Sequence, residues 1–180
     1  KMAATGAVIG VVSAVTQKAM AAIASSTGDA VKRFDTLKNF PRVMGNLGIS
    51  AQDSQASIDY LSSKLEGLPT TLDAATTAVQ RFTATNGNLR DSTAIYLALN
   101  NAILAGGADA QQQASAMEQL QQAYAKGKPE MQDWKTLMQT MPAQLKQIAN
   151  AMGYMDSSQL YDALQDGKTS MDDFMRAAVK

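Results

Sequence analysis

Glycine recurs along this chain at intervals that no long helix survives. After residue 27 it stands at Gly28, Gly45, Gly48, Gly67, Gly87, Gly106-Gly107, Gly127, Gly153 and Gly167. Between these points the apolar residues follow a helical period, so each glycine reads as a helix stop, the residue that most cheaply turns left-handed after the last turn. Start signals follow most of the stops. Ser50-x-x-Asp53 resembles a capping box, Thr70-Thr71 with Asp73 opens the next helix, and Asp91, Asp109 and Asp156 are expected in later first turns. Pro41, Pro69, Pro129 and Pro142 are expected mostly at these boundaries, where a missing N–H is harmless. No stretch alternates with period two. The pattern predicts an all-α fold: an array of short helices and helical hairpins with glycine-capped corners, forming a module over residues 27–180.

Residues 1–26 differ from the rest. Nothing from Met2 to Gln17 is charged, and the segment is rich in Ala, Gly and Val, which predicts an apolar helix or linker preceding the module. Thr5, Gly6, Gly10, Ser13 and Thr16 interrupt it, and it is shorter than the roughly 20 residues that cross a bilayer. It does not read as a cleaved targeting sequence, and a chain that starts at Lys1 reads as a fragment. Gly6-x-x-x-Gly10-x-x-x-Ala14 forms a small-residue ridge for close helix packing. Two uses of that ridge stand side by side: membrane contact through residues 2–24, or packing against the same chain or its symmetry copies.

Composition excludes several classes of function. The chain balances 16 basic against 16 acidic residues, and its densest cationic groups are only Lys32-Arg33 and Lys126-x-Lys128, so no nucleic-acid site is expected. It contains no cysteine and no histidine, which removes thiolate chemistry, the commonest zinc ligand and the usual general base near neutral pH. Asp162 with Asp166 and Asp172 with Asp173 are the carboxylate clusters, and the second pair reads as first-turn charge on a helix dipole. Ser-x-x-Lys, phosphate-loop and dinucleotide patterns are absent. No catalytic residue, cofactor or metal is expected.

The second half shows its faces most clearly. From residue 110 the apolar positions run Ala110, Ala114, Met117, Leu120 and Tyr124, with Gln111, Gln112, Gln113, Gln119, Gln121 and Gln122 on the other side. The next helix carries Met131, Trp134, Leu137 or Met138, and Met141. One corner then recurs. Leu120-x-x-Ala123-Tyr124-x-x-Gly127-Lys128-x-x-Met131-x-Asp133-Trp134 matches Leu160-x-x-Ala163-Leu164-x-x-Gly167-Lys168-x-x-Met171-x-Asp173-Phe174, a repeat over residues 120–134 and 160–174. Each copy reads as a helix ending on a left-handed glycine, a lysine near the negative end of the dipole, and a new helix whose Met and aromatic residue face back into the crevice. The arrangement suggests side-by-side hairpins. Met131, Trp134, Met138, Met171 and Phe174 are candidate packing or partner-contact residues, since methionine serves equally as core filler and as an adaptable binding surface.

Gly67-Leu68-Pro69-Thr70-Thr71, Gln122-Ala123-Tyr124-Ala125-Lys126-Gly127-Lys128 and Gly167-Lys168-Thr169-Ser170-Met171-Asp172-Asp173-Phe174 occur in this order. Together they resemble the conserved N-terminal region of tail tape measure proteins of long-tailed phages and prophages. The structural corners that carry the resemblance are Gly67, Pro69, Gly127, Lys128, Gly167, Lys168 and Asp173. It implies a structural protein that sets tail length during assembly, occupies the lumen of the tail tube and leaves through the tip when DNA is delivered. It also implies residence in the host cytoplasm during assembly, protein partners among the tail tube, the tail tip and tail assembly chaperones, and a homo-oligomer of about three or six copies. A ruler measures with continuous helix at about 1.5 Å per residue. This glycine-broken stretch is expected to be a compact terminal module used for docking. The same residues fit two other readings: a membrane-active or pore-associated helical protein inserting through residues 2–24, and a generic helical adaptor.

Overall fold

The computed structural model describes residues 29–180. The predicted segment 1–26, with Gly6, Gly10 and Ala14, lies outside the described residues. Within them the chain is entirely helical. The elements are α1 (Asp29–Asn46), α2 (Ala51–Leu65), α3 (Leu72–Asn86), α4 (Leu89–Ala105), α5 (Ala110–Lys126), α6 (Met131–Thr140), α7 (Pro142–Ala151), α8 (Ser157–Gln165) and α9 (Met171–Ala178).

The helix ends follow local chemistry. Ser50 accepts the N–H of Asp53 at 3.0 Å, Asn88 accepts that of Asp91 at 3.0 Å, and Asp156 accepts those of Ser158 and Gln159, each at 2.9 Å. Asp109 and Gln112 form a reciprocal box at the start of α5: Asp109 Oδ1 accepts the Gln112 N–H at 2.8 Å, and Gln112 Oε1 accepts the Asp109 N–H at 3.0 Å. Asp109 and Asp156 are therefore N-caps, one step earlier than the first-turn positions expected of them. Thr71 occupies the N-cap of α3 without a side-chain bond. Seven of the nine described glycines have positive φ. Two depart from the predicted pattern. Gly45 lies inside α1, and Gly106 keeps a right-handed conformation, the left-handed turn falling on Gly107. Pro41 also sits within α1 and not at a boundary, whereas Pro142 starts α7 and forces Met141 out of the helical region (φ −143, ψ 55).

Packing places α3 and α4 at the centre. α3 lies against α1, α2, α4 and α5; α4 lies against α2, α3, α5 and α9. From α5 each element rests on its predecessor through α8, and α9 then returns to α4, α5 and α7. One continuous core results, from Phe40 and Met44 in α1 to Phe174 and Met175 in α9. The buried stripe of α5 is Gln113, Ala116, Met117, Leu120, Ala123 and Tyr124, whereas Ala110 and Ala114 are exposed. Gln113 departs from the polar side that the glutamine pattern predicts. It is 5% exposed, because its amide donates at 2.8 Å to Asn100 Oδ1, inside the core.

Gly106 shows a second kind of constraint. A Cβ at this position would run into the backbone carbonyl of Thr140, at the break between α6 and α7. The end of α4 and the Pro142 break meet backbone to backbone, and hydrogen is the largest substituent that fits.

Candidate functional site

The repeated corner is built twice by the same local rules. In the first copy α5 ends on Gly127 (φ 83), whose N–H donates to Tyr124 O at 3.1 Å. In the second, α8 ends ahead of Gly167 (φ 68), and the Lys168 N–H donates to Ala163 O at 2.9 Å. Both glycines need the left-handed region that a Cβ disfavours. The aspartate common to both copies then caps the following helix. Asp133 accepts the N–H of Glu130 at 2.8 Å, and Asp173 accepts the N–H of Ser170 at 3.1 Å. The Ser170 hydroxyl donates to Asp173 at 2.6 Å, and Ser170 Oγ accepts the Asp173 N–H at 3.1 Å. The Ser170 hydroxyl first, then its backbone N–H, hold the Asp173 carboxyl below the usual aspartate range.

The two copies meet. The Gln165 side-chain amide donates to the carbonyl of Pro129. Trp134 and Phe174, which hold equivalent positions in the repeat, stand edge to face with centroids 6.1 Å apart. Tyr161 also stacks on Trp134, tilted, with centroids 5.6 Å apart. Between the corners runs a shallow cleft of about 460 Å³, bordered by Lys126, Gly127, Lys128, Gly167, Lys168 and Asp173. Its cations are answered locally: Lys126 pairs with Glu130 at 2.6 Å and Lys168 with Asp166 at 2.8 Å, and Asp173 lies in the wall. The cleft therefore has no excess charge with which to select an anion.

A second cleft, of about 830 Å³, separates α9 from the α3–α4 corner, with Asn86, Asp91, Tyr124, Asp172 and Arg176 in its lining. Tyr124 donates to Asp172 Oδ1 at 2.8 Å, and Arg176 Nε donates to Asp172 Oδ2 at 2.7 Å. Burial and the hydrogen bond to Asp172 push the Tyr124 phenol up to about 12. Among the described residues no three acidic side chains gather as a metal-holding group, and no helix is long and apolar enough to cross a membrane.

The candidate contact residues separate by burial. Trp134, Met171 and Phe174 are in the core, Met138 is half-buried, and Met131 is 48% exposed, turned away from the crevice its counterpart Met171 fills. Lys128 and Pro69 are exposed, Lys128 at the first corner and Pro69 at the α2–α3 corner. That earlier corner, with Gly67 at φ 79, presents Thr70, whose hydroxyl donates at 2.8 Å to Asn100 Oδ1. Asn100 is fully buried and accepts from Gln113 as well, so one carbonyl ties the α2–α3 turn to α4 and α5. Sequence reasoning missed Asn100 and Gln113. The available signal was the phase of the α5 stripe, since Gln113 precedes Ala116, Met117, Leu120 and Tyr124 at helical spacing.

A sequence-family model described as tape measure protein matches residues 28–180, from just before α1 to the last residue. The chain belongs to the tape measure protein family. Searches of curated proteins and of solved structures returned no match. Tape measure proteins are structural components of phage tails, and the corners at Gly67, Gly127 and Gly167 all fall within the matched region.

Proposed function

We propose that residues 29–180 are a folded docking end of a tape measure protein, contributing to tail assembly and length determination through protein contacts and not by serving as the measuring rod. The observation that carries this reading is helix length. The longest described helix, α1, has 18 residues and spans about 27 Å at 1.5 Å per residue, whereas 180 residues of unbroken helix would reach about 270 Å. A chain folded back at every corner offers surface and little length. Its partners on this reading are the tail tube, the tail tip or a tail assembly chaperone, together with further copies of itself. Assembly would begin in the host cytoplasm and finish inside the tail lumen. The module is read as non-catalytic, in keeping with a chain that has no histidine or cysteine.

Small-angle scattering of the chain tests the shape. A compact chain of this length has a radius of gyration of about 16 Å, and rod-like scattering would overturn the reading. Tail counts and tail lengths test the role. Removal of α6–α9 from the complete tape measure protein should reduce the number of tails while the survivors keep their length. Tails shortened in proportion to the residues removed would assign this segment to the rod.

A further inference from the structure

Residues 157–178 carry the second corner, and their seam with the rest of the molecule is bordered by the two clefts. α9 docks through an apolar strip, Met171, Phe174 and Met175, and α8 adds Leu160, Ala163 and Leu164, all buried. The 830 Å³ cleft opens on one side of this strip and the 460 Å³ cleft on the other, so solvent reaches the seam from both edges. Polar ties across it include the Tyr124–Asp172 hydrogen bond and the Gln165–Pro129 hydrogen bond. The docked state also carries a penalty at its centre. Trp134 is 2% exposed between Tyr161 and Phe174, both contributed by this segment, yet its indole N–H has no acceptor among the described residues. A buried donor without a partner disfavours the closed arrangement relative to one in which water reaches it. The connection to the body is the turn from Met152 to Asp156, which contains Gly153 at φ 88 and Met155, 73% exposed.

We propose that α8 and α9 form a clasp that opens as a unit about this turn, ahead of global unfolding, and uncovers Trp134. Helices of nine and eight residues are too short to persist alone in water, so the clasp loses its helical structure as it leaves. The body keeps the core formed by α1 to α5, in which Phe40, Leu61, Val79, Phe82, Leu99 and Leu120 are buried. Such an opening supplies a low-energy local transition below the global one.

Trp134 is the chain's single tryptophan and reports the event directly. In a urea titration of the complete 180-residue chain, its emission should shift to the red at a lower midpoint than the loss of far-UV helix signal. Amides of residues 157–178 should exchange with deuterium faster than those of α3 to α5 in the absence of urea. Tyr124→Phe, which removes the hydrogen bond to a charged partner, should accelerate exchange in 157–178 by about tenfold and leave α4 and the centre of α3 unchanged. Coincident midpoints for tryptophan emission and helix signal, or an equal acceleration across α3 to α5 in the variant, would overturn the proposal.

Discussion

At the scale of single residues, the glycines of this chain do two different jobs. Gly127 is required by its backbone angle: with φ 83 it occupies a region that costs an L side chain about 1–2 kcal/mol, while the space around it is open. Gly106 is required by space alone, because its angles are ordinary (φ −72, ψ −6) and the Thr140 carbonyl stands where a Cβ would go. Alanine at either site should destabilise the fold by about 1–3 kcal/mol in urea unfolding. Asparagine separates the causes, since it tolerates the left-handed region better than other side chains. Gly127→Asn should recover part of the loss and Gly106→Asn none. Equal behaviour at the two sites would contradict this assignment.

At the scale of elements, each short helix depends on its caps, because too few internal turns exist to compensate for frayed ends. α9 has only eight residues and begins with the Ser170–Asp173 box. Ser170→Ala should cost about 1 kcal/mol, measured as a lowered urea midpoint. The same box makes a pH prediction. Asp173 binds its proton less readily in the folded chain than in the unfolded one, so its contribution is complete above the ordinary aspartate value of about 3.9 and is lost as pH falls through the lower folded-state value. Asp173→Asn should therefore lower stability at pH 7 and reduce the acid sensitivity below about pH 4. A variant as acid-sensitive as the parent would show that other carboxylates dominate.

At the scale of the whole molecule, distant segments are joined by a few buried polar groups as well as by apolar packing. Asn100 Oδ1 receives Thr70 from the α2–α3 turn and Gln113 from α5. Asn100→Ala would strand both donors, at a cost of about 2–4 kcal/mol, and the double variant with Gln113→Ala should lose less than the sum of the two single changes. Strict additivity in that cycle would mean the hydrogen bond contributes nothing. The all-helical class, the corners at Gly67, Gly127 and Gly167 and the cap at Ser50 were legible without the fold, because φ preferences and cap hydrogen bonds act over three or four residues. The family was legible from the same corners. The burial of Gln113, the exposure of Met131, the crowding at Gly106 and the meeting of Trp134 with Phe174 were not. The partners of Gln113, Gly106 and Trp134 lie between 13 and 40 residues away, and burial is a property of the neighbour that covers a residue as much as of the residue itself. The sequence by itself determined where this chain turns, through local backbone chemistry. Only the tertiary structure decided which turns meet, because that depends on packing between distant segments.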